Sequence, residues 1–166
     1  MIFASVGSML PFDRLVRAVD VWACDNPGED VFLQIGDTPY EPRHAPFARI
    51  MPMSAYRERL RACDLFVAHA GMGSILQALE ERKQMLMLPR HQSRGEHTTD
   101  HQLHTTANLG DRPGLKVVDD TAALQSEMTA MLARPIPLGD ALPDHAPEPL
   151  LAGIRSFLSS VRAADT

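Results

Sequence analysis

Residues 64–82 read Asp-Leu-Phe-Val-Ala-His-Ala-Gly-Met-Gly-Ser-Ile-Leu-Gln-Ala-Leu-Glu-Glu-Arg, and this stretch decides the fold. Its apolar run at 64–68 has the length and composition of a buried strand. A helix is expected over 75–82. Two glycines lie in the turn between strand and helix. The stretch therefore predicts a strand, a glycine-containing turn and a helix, the repeating unit of a parallel sheet.

The same alternation of short apolar runs and helical periods extends along the chain. It predicts strands at 2–6, 31–35, 49–51, 64–68, 85–88 and 115–118, and helices from residue 11 and over 54–60, 75–82, 98–108 and 121–133. This pattern is typical of α/β proteins with parallel strands and crossover helices on both faces of the sheet. We expect one such domain over residues 1–133, followed by a proline-rich strap and an amphipathic helix over 134–166.

Composition excludes several classes of protein. The 166 residues are 45% hydrophobic, enough for one packed core. The net charge of −5 argues against nucleic acid as the main partner, because phosphate binding needs an excess of Lys and Arg. No apolar run approaches the roughly 20 residues of a membrane span, and the start lacks the basic region of a signal peptide. A cytoplasmic globular domain is expected.

Two glycine-containing turns follow strands in this prediction, and ligands of parallel sheets bind beyond the carboxyl ends of strands. The first is Gly7-Ser8, and the second runs from His69 to Ser74. Glycine lets the backbone approach a ligand closely, and the helix N-terminus behind it suits a phosphate. The alternative at each place is a simple strand-to-helix turn, which the local sequence favours at Gly7-Ser8 and leaves open from His69 to Ser74.

A third candidate for ligand binding is the polar run 91–102. It follows a buried strand, and such a loop often forms a lid or wall of a functional site. His97, His101 and His104 raise the possibility of a metal site. We expect none, because no Cys or carboxylate elsewhere has matching ligand spacing. A serine hydrolase is also disfavoured, because the chain has no Gly-x-Ser-x-Gly elbow around its nucleophile candidate, Ser74.

Three blocks of this sequence, in the same order, resemble the glycosyltransferase family 28 C-terminal domain. They are residues 2–20, residues 64–76, and residues 85–102 with their Glu96-His97 and Asp100-His101-Gln102 pattern. The domain is the nucleotide-sugar-binding, Rossmann-like half of a GT-B enzyme. The blocks are similar to short bacterial exopolysaccharide glycosyltransferase subunits and to the small catalytic subunit of the dolichol-linked N-acetylglucosamine transferase. The resemblance covers residues 1 to about 133.

The resemblance implies a role for particular residues in binding a UDP-sugar donor. The two glycine turns would face the diphosphate, and the backbone at Met53 would contact uracil. The position of Gln77 holds an acidic residue in the family, where it binds the ribose hydroxyls; glutamine loses the bidentate contact but still donates and accepts. His101 and Gln102 match a pair that reads the sugar hydroxyls. The complete set of implied donor-binding residues is Gly7, Ser8, Met53, His69, Gly71, Met72, Gly73, Ser74, Gln77, His101 and Gln102.

The implied reaction is inverting transfer of a hexose or N-acetylhexosamine from the UDP-sugar to a lipid-linked acceptor. Helix dipoles and backbone N–H groups would stabilise the leaving nucleotide in place of a metal, so neither a metal nor a further cofactor is expected. In GT-B enzymes the general base usually comes from the acceptor-binding half, and its identity here stays open. We therefore expect a heteromer with a membrane-anchored acceptor-binding subunit, which would hold this chain at the inner face of the membrane.

Two questions stay open at this stage. The chain could instead be a noncatalytic module that binds a nucleotide-sugar or a partner, since Gln77 replaces an acid. The C-terminal segment could pack on the partner or fold back on its own core; related helices fold back, and we expect the same here. Its apolar residues are Leu150, Leu151, Ile154, Phe157, Leu158 and Val161.

Overall fold

The computed structural model describes residues 1–140, 143 and 145–164, with side chains through residue 160. Strands and helices alternate along these residues. The strands are β1 (Ile2–Ser5), β2 (Val31–Gln34), β3 (Phe47–Ala48), β4 (Leu65–Ala68), β5 (Met85–Met87) and β6 (Leu115–Val117). The helices are α1 (Asp13–Asp25), α2 (Met53–Ala62), α3 (Met72–Glu80), α4 (His101–Leu109), α5 (Thr121–Ala133) and α6 (Glu148–Ala164), with a 3₁₀ turn at Gln92–Arg94. None of these helices is long and apolar enough to cross a bilayer.

The strands form a single parallel sheet with the order β3-β2-β1-β4-β5-β6. β1 lies at its centre, where Ile2 pairs with Val31 on one side and with Leu65 on the other. The order reverses between β1 and β4, which places a topological switch point at the carboxyl ends of these two strands. The predicted α/β class with a Rossmann-like parallel sheet is confirmed.

The core has two layers because successive side chains of a strand point to opposite faces. Ile2 and Ala4 pack on one face with α1 and α5, where Trp22 donates a hydrogen bond to Thr129 at 2.9 Å. Phe3 packs on the other face against α2 and α3, with its ring 5.0 Å from that of Tyr56. Both faces of β1 are therefore covered.

The edge strand β3 lies at Phe47–Ala48, so the strand predicted at 49–51 is wrong. The position follows from pairing with β2: the N–H of Ile35 donates to Ala48 O at 2.9 Å, and that of Gly36 donates to Arg49 O at 2.9 Å. Gly36 then leaves the sheet with a φ of +54°, which favours glycine. Because β2 leaves the sheet at Gly36, its ladder with β3 ends at Arg49, and Ile50 is exposed.

Two helices begin earlier than predicted. α2 begins at Met53 after an extended Pro52, one residue before the predicted start at residue 54. α3 begins at Met72, with Gly71 as the N-cap, and not at Ile75. The low helix propensity of glycine suggested a later start, but the packing of α3 against the sheet overrides it. This correction places Ser74 in the first turn of α3.

The helix predicted from residue 98 begins at His101. Two side chains ahead of it make local hydrogen bonds that compete with helix formation. The carboxylate of Asp100 accepts from the backbone N–H of Gln92 at 2.8 Å, and the Thr99 hydroxyl lies 2.8 Å from His101 Nδ1. Residues 98–100 therefore form a bend that belongs to the loop after β5.

α6 exposes its apolar side chains, so the expectation that it packs on its own core is wrong. Leu150, Ile154, Phe157 and Leu158 are 48–66% exposed, and only Leu151 is half-buried. The side chain of Val161 lies outside the described residues. The helix is amphipathic as predicted, but in the described part of the chain its apolar face is uncovered.

Candidate functional site

A cavity of about 370 Å³ opens at the carboxyl ends of the central strands. Its walls are the loops after β1 and β4, the segment from Ile50 to α2, and the loop between β5 and α4. Ten predicted donor-binding residues line it: Gly7, Ser8, Met53, His69, Gly71, Gly73, Ser74, Gln77, His101 and Gln102. Met72 does not line the cavity; its side chain is half-exposed at the start of α3. Residues distant in sequence thus meet at the switch point.

The first turn of α3 faces this cavity with uncapped N–H groups. Gly71, the N-cap, has no side-chain cap, and Ile75 is the first residue whose N–H donates back, to Gly71 O at 3.1 Å. The N–H groups of Met72, Gly73 and Ser74 have no acceptor among the described residues. Such groups, with the partial positive charge of the helix end, form a site for an anion.

His69 lies between two glycines that leave room for its ring. A Cβ added at Gly71 would lie within 3.0 Å of three ring atoms, and one at Gly7 would lie 2.7 Å from Nε2. Gly7 also has a φ of +77°, a conformation that L side chains rarely adopt. These two glycines are therefore required for the close approach of the His69 ring, whereas the predicted approach of a ligand to their backbone stays a prediction.

The His69 imidazole is half-buried and neutral at pH 7. Burial is the main cause that lowers its pKa to about 4, and the nearby Arg90 guanidinium lowers it further. Gln102 Nε2 lies 3.2 Å from Nδ1, and the Ser74 hydroxyl lies 3.4 Å from Nε2. The ring is thus held from one side and presents its other nitrogen to the cavity.

A buried polar network holds the loop after β1. The Ser5 hydroxyl donates to Gln34 Oε1 at 2.7 Å and accepts from the Gly7 N–H at 3.1 Å. Gln34 Nε2 in turn donates to the carbonyls of Gly7 and Arg49. The N–H groups of Ser8 and Met9 have no acceptor among the described residues and remain available to a ligand.

A comparison with protein-family models identifies the family of this chain. Residues 1–134 match the model described as the glycosyltransferase family 28 C-terminal domain. The chain belongs to this family. The match covers most of the chain and ends just after α5, so the strap and α6 lie beyond it.

Solved structures of several glycosyltransferases share the fold of this family 28 domain. The kitacinnamycin glycotransferase is 19% identical with a TM-score of 0.59; the match covers 81% of this chain and 35% of that one. The calicheamicin glycosyltransferase CalG4 is 14% identical with a TM-score of 0.54, covering 80% of this chain and 34% of that one. Acinetobacter baumannii MurG is 16% identical with a TM-score of 0.50, covering 78% and 40%. This chain therefore spans about a third of their length. No curated protein sequence matches it.

Arg90 is a residue of the family 28 domain that sequence reasoning missed. It is 2% exposed, and its guanidinium donates to the carbonyls of Val6, Leu10, Pro11 and Glu96. Burial lowers its pKa to about 10, so it stays charged at neutral pH. Arg90 thus ties the loop after β1 to the loop after β5. A basic residue three positions after the apolar strand β5 was the available signal.

Glu96 and Arg14 add an ion pair to the contacts of Arg90. These three residues are called the brace below. Arg14 makes two hydrogen bonds to the Glu96 carboxylate, at 2.6 and 2.8 Å, and a third to Pro89 O. The Glu96 carboxylate also accepts from the His91 N–H at 2.9 Å. Although burial acts in the opposite direction, these bonds hold the pKa of Glu96 below its usual value. The predicted wall at 91–102 is therefore fixed to α1 by a partly buried ion pair.

The wall presents two histidines to the cavity. The rings of His97 and His101 meet edge to face with centroids 4.4 Å apart. Desolvation and the neighbouring His101 lower the pKa of His97. No aspartate or glutamate lines the cavity among the described residues, and no three metal-ligating side chains are grouped there or elsewhere in them. The electrostatics of the cavity suit an anionic ligand.

Proposed function

We propose that this domain binds the UDP-sugar donor of a glycosyltransferase and is the donor-binding catalytic subunit of that enzyme. The observation that carries the proposal is the uncapped first turn of α3, which opens onto a cavity with three glycines and, among the residues that the structure describes, no carboxylate in its lining. Family membership supports the same function.

The diphosphate would lie between the two glycine turns. The free N–H groups at the start of α3 and at Ser8 and Met9 face the cavity region from two sides. Each backbone N–H that meets a phosphate oxygen makes a charge-assisted hydrogen bond, and the helix end adds a favourable field. The buried cation of Arg90, which is among the lining residues, adds positive charge beneath the loop.

The nucleoside and the sugar would occupy opposite ends of the cavity. Gln77 and Met53 line one end, where Gln77 Nε2 lies 3.9 Å from Met53 Sδ, and we assign the ribose and uracil to this end. His101 and His97 also line the cavity, and we assign the sugar hydroxyls to them. No cofactor is proposed, because the nucleotide-sugar is itself the substrate.

The reaction would be a single displacement with inversion. An acceptor hydroxyl attacks the anomeric carbon, the new C–O bond forms as the bond to the β-phosphate breaks, and the hydroxyl proton passes to a base. The developing negative charge on UDP is stabilised by the N–H groups of α3. No carboxylate lines the cavity in the described residues, and we propose that the base comes from the acceptor side.

We propose that a separate, membrane-anchored subunit binds a lipid-linked acceptor and docks on this chain at the cytoplasmic face of the membrane. Two uncovered apolar surfaces support this. One is the cavity mouth, where Met9, Ile50 and Met53 are 87%, 76% and 58% exposed. The other is the apolar face of α6. Large exposed apolar patches mark interaction sites.

The second candidate is a noncatalytic module that binds the nucleotide-sugar without turnover. It is favoured by the neutral amide of Gln77 and by the lack of a carboxylate base among the lining residues that the structure describes. The two candidates share the donor site and differ in transfer.

Calorimetry of the full chain with UDP, UMP and uridine tests the donor site. We expect affinity to fall from UDP to UMP to uridine, because each lost phosphate removes contacts to the N–H groups of α3. Gly71→Ala should abolish UDP binding, because the added methyl group overlaps the His69 ring in the cavity wall. Gly28→Ala is the matched control, since a Cβ there meets nothing within 4 Å. Equal affinity for uridine and UDP would contradict the proposal.

Transfer is tested separately with a radiolabelled UDP-sugar, a polyprenyl-phosphate acceptor and the candidate acceptor subunit. Label in the lipid fraction only when both chains are present supports a catalytic subunit. UDP-sugar binding without transfer in the complete mixture would favour the noncatalytic module.

A further inference from the structure

Gln102 lies under the cavity with both ends of its amide engaged by the protein. It is 2% exposed. Its Oε1 accepts from the backbone N–H of Arg90 at 3.1 Å, and its Nε2 lies 3.2 Å from His69 Nδ1. The resemblance implied that Gln102 reads the sugar hydroxyls, whereas in the structure these bonds direct the amide to its protein neighbours.

The partners of Gln102 determine which way its amide faces. A backbone N–H can only donate, so the atom opposite Arg90 N must be the amide oxygen. The amide nitrogen is then left for His69, and it too can only donate. Nδ1 of His69 must therefore be an unprotonated acceptor, and in a neutral imidazole the single proton sits on Nε2.

The surroundings of His69 keep the ring neutral. The cationic or titratable groups that face it are Arg90, His97 and His101, and no carboxylate faces it among the described residues. Nε2 points to the side where Gly7 and Ser74 lie, with the Ser74 hydroxyl at 3.4 Å. This distance is longer than a good hydrogen bond, so the N–H remains available to a ligand.

We propose that Gln102 is a positioning residue that fixes His69 as the Nε2–H tautomer, so that the ring offers the cavity a hydrogen-bond donor and no lone pair. The inference rests on the proposed function in one respect, that the ligand oxygen which meets this donor is anionic. A locked donor favours a phosphate oxygen, and it cannot act as a base toward an acceptor hydroxyl.

The test is NMR of the full chain labelled with ¹⁵N-histidine, in three variants beside the wild type. Gln102→Leu removes the amide donor at similar volume. Gln102→Glu presents a carboxylate oxygen to Nδ1 and should draw the proton onto that nitrogen. Gln92→Glu, in the exposed 3₁₀ turn that precedes α4, adds the same charge away from the cavity lining and serves as the control.

In the wild type we expect His69 to show a protonated Nε2 and a bare Nδ1 from pH 5.5 to 8. Gln102→Leu should give a mixture of tautomers and bind UDP about tenfold more weakly, as for one lost hydrogen bond to a charged group. Gln102→Glu should protonate Nδ1. Gln92→Glu should keep the wild-type tautomer and change UDP affinity by less than about threefold.

A wild-type ring protonated on Nδ1, or a tautomer unchanged in Gln102→Leu, would overturn the inference, because a merely structural glutamine leaves the tautomer alone. UDP affinity tests the proposed function, and the His69 tautomer tests the role of Gln102. If UDP does not bind the wild type, the proposed function falls, while the nitrogen shifts still decide whether Gln102 orients His69.

Discussion

Gly71→Ala should destabilise the protein through one identifiable overlap. The backbone at Gly71 has φ −82° and ψ 136°, which alanine adopts without strain. The new Cβ would lie 2.8 Å from His69 Nδ1 and closer still to Cε1, inside the ordinary contact distance of 3.5–4.0 Å. The ring cannot swing aside, because Gln102 holds Nδ1 and Gly7 lies against Nε2. Overpacking of this kind costs about 1–3 kcal/mol in the free energy of unfolding.

Urea unfolding followed by circular dichroism measures this cost, and Gly73→Ala is its control. A Cβ at Gly73 meets nothing within 4 Å, so that variant should gain about 0.5 kcal/mol from helix propensity. In the double variant Gly71→Ala/His69→Ala the overlap disappears, and the two changes should couple by at least about 1 kcal/mol. Equal stabilities of Gly71→Ala and Gly73→Ala, or additive effects in the double variant, would refute the steric argument.

Four further outcomes are expected. Arg90→Met should lower the free energy of unfolding by about 3 kcal/mol, because four carbonyls lose their donor, and Arg90→Lys should lower it less; equal losses in urea titrations would count against this. Folding lowers the pKa of His69 to about 4, so between pH 6.5 and 4 the unfolded chain binds a proton at this ring and the folded chain does not. The free energy of unfolding should therefore fall by up to about 3 kcal/mol as the pH is lowered from 6.5 toward 4, and His69→Gln should remove that pH dependence. Gln77→Glu should raise the preference for UDP over 2′-deoxy-UDP in calorimetry, since a carboxylate accepts from two hydroxyls; an unchanged ratio would remove Gln77 from the ribose site. Phe157→Ser should leave thermal stability within about 0.5 kcal/mol of wild type, because the ring is 66% exposed, and should weaken capture of the acceptor subunit in a pull-down.

The sequence predicts the sheet and the location of the cavity because both depend on local patterns. Apolar runs identify the strands, and in a parallel sheet the residues that follow them must meet at one edge. Gly7 and Gly71 were found in this way. Gln34 was missed, although it is a polar residue at the carboxyl end of β2 and the same rule applies to it.

The brace under the cavity could not be predicted, because its contacts join residues far apart in sequence. Nothing near Arg90 indicates that its partners are carbonyls about 80 residues away, at Val6, Leu10 and Pro11. The role of Gln102 depends on such a contact as well. The predicted helix boundaries were wrong where they relied on local propensity alone. Local propensity placed the start of α3 at Ile75, whereas tertiary packing extends the helix to Met72.

Both cysteines of the chain lie away from the cavity, and they differ in reactivity. α1 runs from the cavity edge of the sheet to the opposite edge, and Cys24 lies exposed near its far end. Cys63 is buried ahead of β4, and burial raises its pKa to about 11, which suppresses the reactive thiolate. A maleimide dye or biotin should therefore attach at Cys24 alone, so that the unaltered chain can be immobilised on a sensor surface with its cavity facing outward.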